Sequence, residues 1–380
     1  MINISIIKCS DYDEQELEQK IIAALDKLGG LKNFISYGDK VVLKPNLLSA
    51  KPGSTCVTTN PKFVKFCAKI IKDFGAHPVV GDSPPMHGST KIAKKIGLLD
   101  ELNEIGVELI EFKTPVKLKV SEDAIFKDIF VAKEALEADA LINLPKIKSH
   151  TQMTLTGCVK NIFGVVIGKE KPMWHLKAGI DKSYFAHMLL DLYYGVSPIL
   201  TLADMITVME GDGPSSGTKK HVGAIVAGSD CVAMDTVISN ILEIPFDINY
   251  ILTEVRHFPS HHSTEIQNIN ILSDGLDEIR SNAKGFKLPK MTDSDFGMPS
   301  ILRKLLRDSL TSKPYIDISL CKYCKECENI CPADVISISK DDNSFDYKKC
   351  IKCFCCQEIC PYGALKVMQG SLLRLIEKFQ

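Results

Sequence analysis

The sequence predicts an α/β protein: a largely parallel sheet covered by helices, with a small α+β unit appended at its C-terminal end. Three observations predict it. Runs rich in Val and Ile alternate with helical patterns between residues 2 and 242, as expected of strands joined by helical crossovers. A stretch carrying Gly285, Pro289, Gly297, Pro299 and Pro314 then breaks the alternation. Finally, eight cysteines in two like runs, 29 residues apart, fill residues 321–360. The 380 residues are enough for two or three domains. They divide into an α/β domain at 1–280, a linker with a short basic helix near 300–310 inside 281–312, and a cysteine-framed unit at 313–370.

Taken in order, residues 2–8 read as a strand and 13–28 as a helix ended by Gly29-Gly30. Strand 39–44 leads to helix 61–75, with Asn60 as N-cap and Pro61 in the first helical position, and then to strand 78–81. Further strands are expected at 107–111, 139–143, 199–204 and 222–227. Helices are expected near 90–105, 131–137, 157–165, 183–194 and 231–242, the last capped by Asp230.

Composition narrows the function classes. The formal net charge is −1, which implies neither a nucleic acid nor an anionic membrane as partner. No stretch approaches the roughly 18 apolar residues of a membrane span, and Met1–Ile7 lacks a basic leader pattern, so a cytoplasmic location is expected. Six of the 14 cysteines (Cys9, Cys56, Cys67, Cys158, Cys231 and Cys355) are scattered, as in a reducing compartment without a disulfide framework.

The other eight read Cys321-x2-Cys324-x2-Cys327-x3-Cys331-Pro332 and Cys350-x2-Cys353-x2-Cys356-x3-Cys360-Pro361. Each run is the spacing that wraps three thiolates around one 4Fe–4S cubane and sends the fourth to a neighbouring cluster. Cys321, Cys324, Cys327 and Cys360 therefore form one ligand set, and Cys350, Cys353, Cys356 and Cys331 the other. Zinc also binds paired C-x2-C units, but it takes four ligands in two pairs per site. Two four-member runs, each closed by Cys-Pro, suit two cubanes. This stretch closely resembles the bacterial two-cluster ferredoxin. Cys355, between two ligands, reads as a spectator thiol.

Four constellations in the large domain lie where strands end, the position at which parallel sheets bind ligands. Lys44-Pro45-Asn46 opens a hydroxyl-rich loop with Ser54, Thr55, Thr58 and Thr59 that ends at a helix N-terminus, a place able to hold an anion. Asp82 follows strand 78–81 in Gly81-Asp82-Ser83-Pro84. Lys146, Lys148 and His150 follow strand 139–143 and share one face if the segment stays extended; Lys160 and Asn161 come soon after. Asp204, Glu210 and Asp212 supply carboxylates to balance those lysines or to hold a hard cation such as Mg²⁺. Trp174 and His175 lie in a loop and read equally as a mobile lid or as a partly buried structural pair, and His257, His261 and His262 read as a surface loop rather than metal ligands.

Together Lys44-Pro45-Asn46, Gly81-Asp82-Ser83-Pro84, Pro145-Lys-x-Lys-x-His150, Lys160-Asn-x-x-Gly164 and Glu210-Gly-x-Gly-Pro214 resemble the family known as domain of unknown function 362, over residues 37–240. Its members are frequently fused to ferredoxin-like cluster domains; the resemblance implies a shared polar pocket and no reaction. The expectation is an iron–sulfur oxidoreductase that takes electrons from, or gives them to, a low-potential partner protein and acts on a small anionic substrate. Lys44, Lys146 and Lys148 would bind the anion, with His150 or Lys160 as proton donor; flavin or a divalent metal is a further possibility without a motif of its own. Two other readings stand beside it: an electron-transfer subunit whose large domain performs no chemistry, and a non-redox enzyme with structural clusters.

Overall fold

The computed structural model describes residues 1–51, 55–168, 170–258, 261–290, 309, 311–340 and 343–376. The large domain contributes twelve strands: β1 (Ile2–Lys8), β2 (Lys40–Pro45), β3 (His77–Asp82), β4 (Glu108–Glu111), β5 (Pro115–Lys117), β6 (Phe130–Ala132), β7 (Ala140–Leu144), β8 (Lys146–His150), β9 (Thr154–Thr156), β10 (Leu200–Glu210), β11 (Thr218–Gly228) and β12 (Ile269–Asp274). Ten of them form one sheet in the order β12-β1-β11-β10-β7-β2-β3-β4, with β8 beside β10 and β9 beside β8. The pairs from β10 through β7, β2 and β3 to β4 are parallel, as is β1 with β12. Only β11 and β9 run against their neighbours. The largely parallel α/β architecture is thus present.

Strands such as β7, buried along its whole length and apolar apart from Asn143, reflect helices covering both faces of the sheet. One core lies under Glu14–Asp26, Pro61–Phe74, Ser89–Ile96 and Leu98–Glu104. The other lies under Cys158–Asn161, Lys182–Val196 and Cys231–Ile241. The Asn60 side chain accepts from Lys62 N–H ahead of Pro61, and Asp230 accepts from Ala233 N–H, so both expected caps form.

Several elements differ from the sequence expectation. The helix expected at 90–105 is two helices, split at Gly97, whose φ of 83° stops the first. Residues Glu170–Ala178 form a helix rather than a loop. β12 and the helix Leu276–Ala283 add a parallel edge to the sheet beyond the last expected strand. The short helix near 300–310, apart from residue 309, and Ser54 lie outside the described residues, as do the His261 and His262 side chains.

The cysteine unit pairs β13 (Lys313–Ile316) with β16 (Leu365–Met368) and β14 (Ile336–Ile338) with β15 (Asn343–Phe345), both antiparallel. Two short helices, Glu326–Ile330 and Cys355–Ile359, pack against each other. Among the described residues no helix is long and apolar enough to cross a membrane.

Candidate functional site

Strands β2 and β3 are parallel neighbours, so their C-terminal ends bring Lys44 and Asp82 together. The Lys44 ammonium lies 2.9 Å from the Asp82 carboxylate, with both side chains buried. Leu47 N–H donates to the other Asp82 oxygen at 2.8 Å. Gly164 is flush against this pair: a Cβ there would fall 2.2 Å from both Lys44 Nζ and Asp82 Oδ1. On β8, Lys148 donates to Asn46 Oδ1 at 2.9 Å and to the Val57 carbonyl. Asn46 in turn donates to Asn161, and Asn161 to Asn143, through side-chain amides at 2.9 and 2.8 Å. The amides fix the lysine-bearing segments against one another.

These groups open into a cleft of about 740 Å³, whose far wall is the cysteine unit. Lys44, Asn46, Asp82, Lys148, His150, Lys160 and Asn161 line it, joined by Lys171 and His175 from the helix Glu170–Ala178 and by Cys355, Glu358 and Ile359 from the second cysteine helix. Four lysines face two carboxylates, so the cleft carries excess positive charge. Burial pulls Lys148 down to about 7, with the Lys160 ammonium adding to the effect. Burial lowers Lys171 to about 7 as well, opposed by Asp82 and helped by Lys44 and Lys160. Lys44 and Lys160 are lowered for the same first reason.

His150 has a defined tautomer. Its Nδ1 accepts from Gln152 and Met153 N–H at 3.1 and 3.2 Å, which leaves Nε2 to carry the proton, 2.9 Å from Glu358. Burial holds this ring down at about 4, so it is neutral near pH 7, with Nε2 in close contact with Glu358. Burial alone would raise the Glu358 carboxyl; His150 and the Lys160 ammonium hold it down, to about 2. His150 is therefore an interdomain tie, and the lysines remain as the groups with protons to give. Among the described residues Lys160 makes no hydrogen bond or ion pair, and the Thr156 hydroxyl and His175 Nδ1, both buried in the cleft wall, have no partner.

Not every expected residue reaches the cleft. Lys146, two residues before Lys148, is drawn to Asp204, directly opposite on β10. Its ammonium sits 2.8 Å from that carboxylate and 2.8 Å from the Tyr12 hydroxyl, while Tyr12 donates to Asp204 at 2.7 Å. Thr59 donates to the Leu144 carbonyl and accepts from Asn46 N–H; Thr58 is buried outside the cleft lining. Glu210 binds Lys287 N–H at 3.0 Å and Asp212 pairs with Lys290 at 3.3 Å. Asp204 thus balances Lys146 as expected, although outside the cleft, whereas the expectation for Glu210 and Asp212 is corrected: they pair with Lys287 and Lys290, and Asp82 and Glu358 are the carboxylates of the cleft. Lys171, His175 and Glu358 were not among the expected site residues.

The eight cysteines line two chambers in the crossed sets given by their spacing. One, of about 300 Å³, is lined by Cys321, Cys324, Cys327 and Cys360; the other, of about 310 Å³, by Cys331, Cys350, Cys353 and Cys356, with Cys355 as a fifth cysteine in its wall. Tyr323 and Lys325 in one loop and Lys352 and Phe354 in the other have left-handed backbones, with φ between 56° and 62°. These turns curl each loop so that N–H groups of Tyr323, Lys352 and Ala364 meet Cys321, Cys350 and Cys360 sulfur at 3.3–3.4 Å. N–H donors aimed at the thiolates suit cluster ligation.

The family model described as domain of unknown function (DUF362) matches residues 41–240, and one for a 4Fe-4S dicluster domain matches 313–361. The chain belongs to the DUF362 family. It is 34% identical over 318 residues to a thylakoid-associated protein of Synechocystis sp. (strain ATCC 27184 / PCC 6803 / Kazusa), an alignment covering 80% of this chain and 94% of that one. Among solved structures it is similar to the lactate racemase apoprotein of Thermoanaerobacterium thermosaccharolyticum, at 11% identity and a TM-score of 0.40, over 80% of this chain and 89% of the other; so loose a likeness carries no inference about activity. This DUF362 chain thus has a ferredoxin-like 4Fe–4S unit at its C-terminal side, which supports a role in electron transfer.

Proposed function

We propose that this DUF362 protein is an iron–sulfur oxidoreductase acting on a small anionic substrate in the cleft between its two parts. One observation carries the reading: the helix Cys355–Ile359, which bears the cluster-type ligand Cys356, is also a wall of the lysine-lined cleft. Cys321, Cys324, Cys327 and Cys360 would hold one 4Fe–4S cluster, and Cys331, Cys350, Cys353 and Cys356 a second. Such clusters, when bound, supply electrons one at a time, usually at low potential.

The chain's own residues do the rest. Lys160, which makes no hydrogen bond or ion pair among the described residues, binds the anionic group, with Lys171, anchored on the Ser83 and Val166 carbonyls, beside it. Thr156 and His175 offer hydrogen bonds to the remainder of the substrate. Lys148, with a pKa of about 7, is the proton donor or acceptor near neutral pH. Lys44 and Asp82 fix the floor, and the Glu358–His150 contact keeps the cysteine unit seated so that water is excluded. We place the protein on the cytoplasmic, reducing side, where exposed thiolates persist; the Synechocystis relative is named as thylakoid-associated.

The test uses anaerobically purified, reduced full-length protein mixed with fractionated small metabolites while cluster absorbance is followed. An anionic fraction should reoxidise the protein, and Lys160→Met should slow that reoxidation at least about tenfold with the iron content unchanged. If no fraction does so while a partner protein exchanges electrons rapidly, the chain is an electron-transfer subunit. Turnover that persists after iron removal would make the clusters structural.

A further inference from the structure

The two chambers face different surroundings. Cys353, Cys355 and Cys356 are buried beside the cleft, whereas Cys324 of the other chamber is exposed. Around Cys324 lies a face assembled from both parts of the molecule. Lys322, Lys325 and Tyr362 rim the chamber itself. Tyr362 also borders an open hollow shared with Leu320 and, across the domain junction, Lys219 of β11. Tyr362 is 48% exposed and Leu320, in the same hollow, 41%. Exposed large apolar side chains gathered in this way mark association surfaces.

The charges on this face are one-sided. Lys322, Lys325 and Lys219 are exposed and make no ion pair among the described residues. Two of the carboxylates nearby are paired with lysines, Asp317 with Lys366 at 2.6 Å and Asp212 with Lys290 at 3.3 Å, and Glu326 lies 3.4 Å from His87, which leaves one carboxylate against the three lysines. The apolar centre is therefore ringed by cations, and the complementary partner presents carboxylates around its own contact patch.

We propose that this face docks a small acidic electron-carrier protein, which exchanges one electron with the outer chamber's centre. The carrier loses or gains one electron, and no bond forms and no proton moves. This goes beyond the reading of the cleft, because it fixes where electrons cross the protein surface and by what class of partner. The inner chamber shares Cys355 with the cleft lining and the outer chamber shares no residue with it, so the inner chamber would stand between the two.

The experiment measures binding, not turnover, so its failure is distinct from failure of the cleft reading. Full-length, cluster-loaded protein is titrated with a purified acidic two-cluster ferredoxin by calorimetry at low and high salt. The expected result is a salt-sensitive complex, weakened at least about tenfold by Lys322→Glu/Lys325→Glu and also by Lys219→Glu. Lys219 belongs to β11 of the large domain and is neither a cluster ligand nor part of a cysteine run, so its reversal leaves cluster assembly intact. Lys27→Glu, on a distant surface, should bind as the wild type does. Unchanged affinity in all variants, absence of binding to the acidic probe, or concentration-dependent self-association abolished by Lys219→Glu would each overturn the proposal, the last by assigning the face to a second copy of the chain.

Discussion

Lys146 and Lys148 are two residues apart on one strand, and what lies opposite each decides its fate. Lys146 meets Asp204 and the Tyr12 hydroxyl in a closed, buried triad. Removing one member leaves an uncompensated buried charge, which costs about 3–5 kcal/mol. Lys146→Met should therefore lower stability in denaturant titration by about that much, with Lys146→Met/Asp204→Asn recovering part of it; a variant of full stability that has lost only turnover would show the triad to be catalytic. Lys148 meets only amide and carbonyl oxygens, so burial lowers it to about 7. A bound anion favours the ammonium and raises that value. Anion affinity should thus be fully present below about pH 7 and fall as pH rises beyond it, by up to about tenfold per pH unit for one linked proton. Lys171, also at about 7, adds to the slope. Calorimetric titration from pH 6 to 9 would check this, and Lys148→Met should make the profile shallower.

At the scale of elements, the strand ends account for what the sequence made legible. Apolar β2, β3 and β7 each end in polar residues, so Lys44, Asp82 and Asn143 were readable as neighbours on one sheet edge once the strands were taken as parallel. β8 was less readable. Its Lys-Ile-Lys-Ser-His is buried along its length, yet it has the composition of a solvated loop, because ion pairs and amides rather than apolar contacts satisfy it. The helix Glu170–Ala178 was hidden by Pro172 and its charges, and with it Lys171 and His175. The glycine of Lys160-Asn-x-x-Gly164 has a plain reason: the ion pair of Lys44 and Asp82 leaves no room for a Cβ. Gly164→Ala should push that pair apart at a cost of about 1–3 kcal/mol, measured as a lower unfolding midpoint, and should weaken anion binding as well. Unchanged stability and affinity would mean that the floor of the cleft is softer than its packing implies.

For the whole molecule, the decisive feature is that the cleft is incomplete without the cysteine unit. No sequence pattern reveals this, because Glu358 lies more than 200 residues from His150 and reads, within its own run, as one more charge beside a ligand. In the fold it closes the cleft, and Ser215 and Gln357 add a hydrogen bond at 3.3 Å across the same junction. The order outer chamber, inner chamber, cleft then depends on the crossed sharing of cysteines, in which Cys331 from the first run completes the inner set and Cys360 from the second run the outer. Reconstituted protein should hold about eight irons and eight sulfides, as two cubanes require. Cys331→Ser should damage the inner cluster, although its sequence neighbours belong to the outer one, and should abolish any spectral response to an anion in the cleft. Cys324→Ser should damage the outer cluster and leave that response in place. Electron paramagnetic resonance of the reduced protein, with and without the anion, separates the cases. If Cys331→Ser instead removed the signal that Cys324→Ser removes, the crossing would be wrong, and the cleft would lose its adjacent electron source.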